Sequence, residues 1–171
     1  MEGWLFGRKR GVELGRGGYQ NVYIDKTQGA NGTKCSIAMD FKLGSQKAEG
    51  VRLLIQAGIR NYLKRDLSRY AGIRFFMKGS KEMTVLFIMQ DREKDSKVLE
   101  TWFHPLSVRK EWQEFRVPFS ALTVAKKIAM RLGTDEVLDL RRIERISWVI
   151  DEVHIEPGTE GTLWLDEVTF Y

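Results

Sequence analysis

The sequence predicts one all-β domain spanning residues 1–171, an antiparallel β-sandwich with one short helix. Three observations predict this fold class. Apolar residues alternate with polar ones, or run continuously, over segments of strand length. Clusters of Gly, Ser, Asp and Lys separate these segments as turns do. With 43% apolar and 11% aromatic residues, the chain has enough material for a single core, and no repeat or linker divides it.

Nine segments are predicted as strands. In chain order they are residues 21–26, 36–43, 51–57, 73–78, 83–90, 101–106, 112–118, 146–150 and 162–170. Pro118 ends its strand because it has no N–H to donate to a ladder. Alternation leaves Ser147 and Val149 outward and puts one set of apolar side chains into a common core: Ile73, Phe75, Phe115, Val117, Ile146 and Trp148.

Residues 120–132 depart from strand periodicity and predict the helix. Ser120 is a suitable N-cap and Gly133 lies just past the end. The apolar face would consist of Leu122, Ala125, Ile128, Ala129 and Leu132. A second turn is predicted at residues 137–142, with Asp135 as its cap.

The charge pattern bears on possible partners. The formal net charge is +5, and an arginine–glycine tract occupies residues 7–18. Elsewhere basic residues are interleaved with Glu and Asp, which is typical of a solvated surface and argues against a groove for nucleic acid. No apolar run approaches the roughly 18 residues of a membrane helix, so no membrane partner is predicted. The compartment stays open.

No catalytic apparatus is predicted. Cys35 is the only cysteine, so an internal disulfide and a thiolate metal cluster are both excluded. His104 and His154 are the only histidines, and neither stands in a pattern with a nucleophile or a ligand carboxylate. Acidic clusters at residues 91–95 and 151–156 lie in turn-rich stretches, as solvated loops do.

Four local patterns carry a resemblance to a known group. They are DLSRYAGIRF at 66–75, WQEFRVPFSAL at 112–122, LDLRRIERI at 138–146 and GTLWLDEV at 161–168. Their order and spacing resemble those of the galactose-binding-like jelly rolls, most of all carbohydrate-binding module family 11 and the domain of complex I intermediate-associated protein. The resemblance covers roughly residues 20–171 and implies a jelly-roll β-sandwich.

The resemblance implies a non-catalytic module that binds an oligo- or polysaccharide, of plant-type glucan. Such a module would belong to a larger polysaccharide-active protein with a covalently linked glycoside hydrolase, and would be extracellular if that enzyme is secreted. The alternative is a protein-interaction or assembly domain like that of complex I intermediate-associated protein. Modules of family 11 stack tyrosine side chains on the sugar. The aligned positions here hold Val51, Leu53, residues 126–128, Ser147 and Ile150, whereas Glu144 matches an acidic sugar-binding position.

Sugar binding requires aromatic rings together with planar polar side chains. Trp102 and His104 are two residues apart and so share a strand face, which predicts that they form the platform. Polar partners are predicted at Arg74, Gln90, Arg116 and Glu144, and further rings at Tyr19, Tyr23 and Tyr62. For every ring, packing within the sandwich is the competing interpretation.

Asp166 and Glu167 interrupt the alternation of the last strand, which predicts a β-bulge. In similar modules the Asp at this bulge ligates a structural calcium ion. The resemblance therefore implies a possible structural Ca²⁺ held by Asp166, by carbonyl groups of residues 28–32 and by Glu2. Calcium takes six to eight oxygen ligands. The alternative is a surface carboxylate that caps the bulge.

Overall fold

The computed structural model describes residues 14–45, 56–92, 98–125 and 135–171. Within these ranges the chain forms two five-stranded antiparallel sheets, so the predicted all-β sandwich is confirmed. Its strands are β1 (Tyr19–Asp25), β2 (Ser36–Lys42), β3 (Gln56–Asn61), β4 (Gly72–Gly79), β5 (Met83–Arg92), β6 (Leu99–Val108), β7 (Gln113–Pro118), β8 (Thr123–Val124), β9 (Ile143–Asp151) and β10 (Glu160–Phe170). In these ranges no helix has the length and apolarity required to cross a bilayer.

The two sheets interleave segments from distant parts of the chain. We call the sheet with strand order β3-β9-β5-β6-β8 the front sheet and the sheet with order β1-β2-β10-β4-β7 the back sheet. The chain passes repeatedly between them, so each sheet contributes one apolar face to a shared interior. The second face of each sheet is the surface on which a ligand could lie.

The core between the sheets contains the predicted apolar set. Trp148 is fully buried, and its ring meets the ring of Phe75 edge-on at 5.3 Å between centroids. Phe115 is half-buried and stacks on Phe75 at 5.7 Å. The remaining predicted core residues, Ile73, Val117 and Ile146, are buried. Alternation identified this interior because, in β4 and β7, most of the side chains that point between the sheets are apolar and most of those that point outward are polar.

The described start of the predicted helix is not α-helical. Residues Phe119–Ala121 form a single 3-10 turn, and Thr123–Val124 pair with β6 as the short strand β8. Leu122, the first residue of the predicted helical face, is buried in that arrangement, and so is Val124 on β8. Residues 126–134 lie outside the described ranges.

Two smaller expectations change. The strand predicted at 51–57 is seen as Gln56–Asn61, with residues 51–55 outside the described ranges. The 3-10 turn Leu140–Arg142 is capped by Asp139 rather than Asp135, because the Asp139 carboxylate accepts from the Arg141 N–H. Ser147 and Val149 face away from the core as predicted, and both are buried.

A side chain links the two sheets along one side of the sandwich. Gln20 on β1 donates from its amide to the Gly58 carbonyl at 3.1 Å and accepts from the Gly58 N–H at 3.0 Å. Strand β3 lies very close to β9 at this point: a Cβ at position 58 would be 2.8 Å from the Trp148 carbonyl oxygen. Glycine is therefore required there, and one glutamine joins the edges of both sheets.

Candidate functional site

The outer face of the front sheet is formed by the side chains that alternate with the core residues. The strand registers place them in rows across the sheet. Its middle is apolar, with Leu86, Ile88, Val149 and Phe103, and one end is polar. At that end Gln90 lies opposite Arg145, with Thr101 on the next strand.

Arg145 organises the polar end of this face. Its Nε donates to Gln90 Oε1 at 2.6 Å, and its Nη2 donates to the same oxygen. Its Nη1 lies 3.4 Å from the Tyr62 hydroxyl, and the guanidinium carbon lies 5.6 Å from the centroid of the Tyr62 ring. Tyr62 is 40% exposed. An exposed ring, an amide and a guanidinium are thus held together in a defined arrangement.

A salt bridge flanks this group. The register of β5 against β9 shifts so that Gln90 pairs with Arg145 while Asp91 pairs with Ile143, which makes Glu144 the extra residue. Glu144 Oε1 accepts from Arg92 Nε at 2.7 Å. That hydrogen bond lowers the pKa of Glu144, with further help from the charges of Arg92 and Lys64. We call Tyr62, Gln90, Arg92, Glu144 and Arg145 the Arg145 cluster.

The Arg145 cluster contains three of the predicted ligand residues: Tyr62, Gln90 and Glu144. Sequence reasoning missed Arg145 and Arg92, which looked like scattered surface charges. One signal could have found Arg145. It stands beside Glu144 between two isoleucines, Ile143 and Ile146, and such a charged pair inside an apolar strand indicates a bulge that turns both side chains outward.

Trp102 does not form the predicted platform. Its register partner is the core residue Met89, which puts the Trp102 ring on the inner side of β6 with 8% exposure. The indole Nε1 donates to Asp91 Oδ1 at 3.1 Å. His104 lies on the same inner side, opposite Phe87, and its Nδ1 is 3.2 Å from the Ala121 carbonyl oxygen. The expected outward face for this pair was therefore wrong.

Four other predicted residues belong to the back sheet. Arg74 and Arg116 both approach Glu114, with Nη1 to Oε1 at 3.9 Å and Nε to Oε1 at 2.8 Å respectively. The Tyr23 hydroxyl donates to Asp40 at 3.4 Å, and Tyr19 is 48% exposed on the edge strand β1. The predicted set is thus divided between two opposite faces, and these four cannot share a ligand with Gln90.

Two tryptophans on the outer face of the back sheet, Trp112 and Trp164, share one cation. Lys78 Nζ lies 4.7 Å from the ring centroid of Trp164 and 5.4 Å from that of Trp112, and it also donates to Gln28. Trp164 Nε1 donates to Asp25 at 2.9 Å. Hydrogen bonds, those from Thr27 first, hold the pKa of Asp25 well below its usual range. Lys78 and Asp25 thus hold the Trp164 side chain in place.

Asp166 holds a loop at the bulge of β10. Its Oδ2 accepts from the Ala30 N–H at 2.8 Å and from the Thr33 hydroxyl at 2.5 Å, and its Oδ1 accepts from the Glu167 N–H at 2.8 Å. The register shift after Asp166 and the φ of +48° at Glu167 mark the predicted bulge.

Asp166 is a hydrogen-bonded carboxylate in this structure, and the calcium ion stays a prediction. The loop turns the Ala30 N–H and the Thr33 O–H toward the carboxylate. The described residues contain no group of three or more metal-ligating side chains. The hydrogen bonds of Asp166 are those of a carboxylate that caps the bulge. Glu2 lies outside the described ranges, so its part in a calcium site stays a prediction.

Two buried carboxyl groups lie behind the Arg145 cluster. Asp91 and Glu100 are direct cross-strand partners and are 2% and 1% exposed. Asp91 Oδ2 accepts from the Asp139 N–H at 2.8 Å, and Glu100 Oε1 accepts from the Glu136 N–H at 3.1 Å. Burial raises the pKa of Asp91. Both groups anchor residues 136–139 and are closed to a substrate.

Solved structures share this architecture. One is a family 11 carbohydrate-binding module of the cellulosomal cellulase Lic26A-Cel5E of Clostridium thermocellum, with a TM-score of 0.68, 17% identity, and coverage of 99% of this chain and 88% of that one. The chain has the fold of this module. A family 11 module from the same organism, in complex with a β-1,3-1,4-mixed-linked tetrasaccharide, matches with a TM-score of 0.66, 17% identity, and coverage of 98% and 94%.

A family 30 carbohydrate-binding module of the C. thermocellum cellulosomal cellulase Cel9D-Cel44B matches with a TM-score of 0.61 and 14% identity. The match covers 97% of this chain and 90% of that module. The resemblance to family 11 read from the four sequence patterns is thereby confirmed at the level of fold. No protein-family model and no curated protein matches the sequence.

Proposed function

We propose that this domain binds an oligo- or polysaccharide, without cleaving it, at the Arg145 cluster on the outer face of the front sheet. One observation carries the proposal: the exposed Tyr62 ring lies beside a guanidinium and an amide that are fixed against each other. A sugar presents C–H groups to an aromatic face and hydroxyl groups to planar polar side chains. The Arg145 cluster offers both within one small area.

The solved structures of similar fold support this class of ligand and suggest the first one to test. One of them was determined with a β-1,3-1,4-mixed-linked tetrasaccharide. A plant-type β-glucan is therefore our first proposed ligand. We also propose that the domain works within a larger polysaccharide-active protein and beside a linked glycoside hydrolase, as the modules named from cellulosomal cellulases suggest.

The arrangement of carboxyl groups supports binding without hydrolysis. Glycosidases place two accessible carboxyl groups on either side of the bond to be cleaved. Asp91 and Glu100 are close together but buried, and Glu144 is neutralised by Arg92. Among the described residues of this face, no second accessible carboxylate faces Glu144 across the Arg145 cluster.

The test compares two tyrosines that are similarly exposed on opposite sheets. Tyr62→Ala should weaken binding of a mixed-linked β-glucan about tenfold or more, because ring stacking contributes roughly 0.5–1.5 kcal/mol beyond the area it buries. Tyr19→Ala should leave binding unchanged, since Tyr19 lies on the back sheet. Affinity electrophoresis and calorimetry would measure both variants.

Equal losses in the two variants would place the ligand elsewhere. If the wild-type domain were retained by no β-glucan, mannan, xylan or charged polysaccharide, saccharide binding would be refuted. A protein-interaction or assembly role would then be the better explanation.

A further inference from the structure

We infer that the Arg145 cluster prefers a saccharide that carries carboxylate groups, so that a uronic-acid polysaccharide should bind more tightly than the neutral β-glucan proposed above as the first ligand to test. The inference rests on the proposed function and makes its ligand more specific. It depends on the balance of charge at the polar end of the front sheet, on the hydrogen-bonding state of Arg145 and on the small size of the charged area.

Among the described residues at this end of the face, cationic side chains outnumber the carboxylates that are not buried. Arg60 lies opposite Ser147, two residues along β9 from Arg145, so the two guanidinium groups project from the same side of neighbouring strands. Lys64 follows in the same segment, and its N–H bonds to the Glu144 carbonyl oxygen. With Arg92 these make four cations, and Glu144 is the one carboxylate among the described members of the group.

Glu144 does not neutralise Arg145. Its carboxylate is 2.7 Å from Arg92 Nε, and that pair is self-contained. In the described part of the chain, the partners of Arg145 are the neutral groups of Gln90 and Tyr62. The result is a cationic area in which the guanidinium at the centre lacks a described counter-charge. A neutral glucan would not supply one.

Arg145 has hydrogen-bonding capacity left for a ligand. A guanidinium carries five N–H donors. Three of them point to Gln90 and Tyr62, which leaves two. The contacts with Gln90 and the Tyr62 ring fix the plane of the group, and a fixed guanidinium suits a planar carboxylate, which it can bind with two parallel hydrogen bonds. A uronate residue would place its carboxylate on Arg145 and its ring on Tyr62.

The compactness of the area favours a saccharide over a nucleic acid. Its cations come from three neighbouring strands and the segment after β3, so it is roughly 10 Å wide across the strands. Nucleic-acid surfaces follow a phosphate backbone over longer tracks and combine it with several stacking rings. In the described part of the chain, Tyr62 is the one exposed ring beside these cations.

The test uses one polymer in two charge states. Polygalacturonate and its carboxyl-reduced form have the same linkages, and only the first carries carboxylates. The wild-type domain should bind polygalacturonate about tenfold or more tightly than the reduced polymer, because a carboxylate–guanidinium pair is stronger than a neutral hydrogen bond. That preference should shrink as sodium chloride is raised.

Arg145→Gln should abolish the preference, and Arg60→Gln should reduce it. The matched control is Arg116→Gln, which removes the same charge from the outer face of the back sheet and should leave the preference intact. Thermal unfolding of each variant checks the fold. If Arg145→Gln fails to fold, Arg145→Lys tests the planar fork, because it keeps the charge: the preference should fall, and an unchanged preference in this variant would count against the inference.

Equal affinity for the two polymers, or an unchanged preference in Arg145→Gln, would overturn the inference while leaving saccharide binding in place. The same conclusion would follow if Arg116→Gln lost as much as Arg145→Gln, since the effect would then reflect overall charge. Tighter binding of single-stranded DNA than of polygalacturonate would overturn the inference in favour of a nucleic-acid ligand. Failure to bind any polysaccharide, mixed-linked β-glucan included, would instead remove the proposed function.

Discussion

Replacing Trp102 by alanine should destabilise the domain by about 3–5 kcal/mol, the usual cost of deleting a large aromatic side chain from a core. The ring is 8% exposed and packs within the sandwich interior. The substitution also removes the indole N–H that bonds to the buried carboxyl of Asp91. For a domain of this size the melting temperature falls by about 2–4 °C per kcal/mol. A decrease of roughly 6–20 °C is therefore expected.

A second pair of variants separates the hydrogen bond from the packing. Trp102→Phe keeps an aromatic ring and removes the N–H, and should destabilise the domain by about 1–3 kcal/mol, because the bond to Asp91 is buried. Trp164→Phe removes the same kind of bond, to Asp25, at a half-exposed position. Its cost should be below about 1 kcal/mol, since water can replace the lost partner.

Urea unfolding followed by far-ultraviolet circular dichroism would give these free energies, and affinity electrophoresis of the folded variants would report saccharide binding. The reasoning fails if Trp102→Ala unfolds at the wild-type urea concentration while its saccharide binding is lost. That outcome would mean that the ring faces a ligand. We expect Trp102→Phe to be less stable than wild type and to retain saccharide binding.

Two further predictions concern carboxyl groups. The raised pKa of Asp91 means that the folded state binds more protons than the unfolded state between the ordinary pKa, about 3.9, and the folded value. The contribution of Asp91 to stability is thus greatest below that window and is lost as the pH rises through it. Urea unfolding of wild type and of Asp91→Asn at several acidic pH values would give the difference in stability between them. This difference should decrease as the pH rises through the window, and a difference that does not change with pH would contradict the prediction. Asp166→Asn should destabilise the Ala30 loop by about 1–3 kcal/mol, with or without calcium. A melting temperature that rises in excess calcium in wild type, and not in this variant, would instead establish the calcium site with Glu2.

The strands that could be predicted from sequence are those with a consistent apolar face. Strands β4 and β7 fit this description, and their predicted and observed ends differ by one residue at most. Strand β3 ends at Asn61, four residues later than the predicted end at residue 57. Gly58 and Arg60 obscure the strand pattern in the sequence of Gln56–Asn61. Its identity depends on pairing with β9, which a single sequence does not show.

The direction of Trp102 could not be predicted for a related reason. Leu99–Val108 has apolar side chains on both faces, with Phe103 outward and Trp102 inward, so alternation alone leaves two possible orientations. The pairing of Trp102 with Met89 decides between them. For the candidate site, sequence reasoning selected Tyr62, Gln90 and Glu144 individually. It could not assemble them around Arg145, because the register shift at Glu144 is a property of the paired strands.

The contact of Gln20 with Gly58 has a consequence for self-association. An exposed edge strand presents unpaired N–H and C=O groups that can recruit a strand from another molecule. The Gln20 amide occupies one such N–H and one such C=O in the middle of β3. At the far end of the front sheet β8 is only two residues long, and on the back sheet β7 carries Glu114, Arg116 and Pro118. Three of the four sheet edges, β3, β8 and β7, are thus poor templates for a further strand, which leaves β1 as the edge at which two copies could pair.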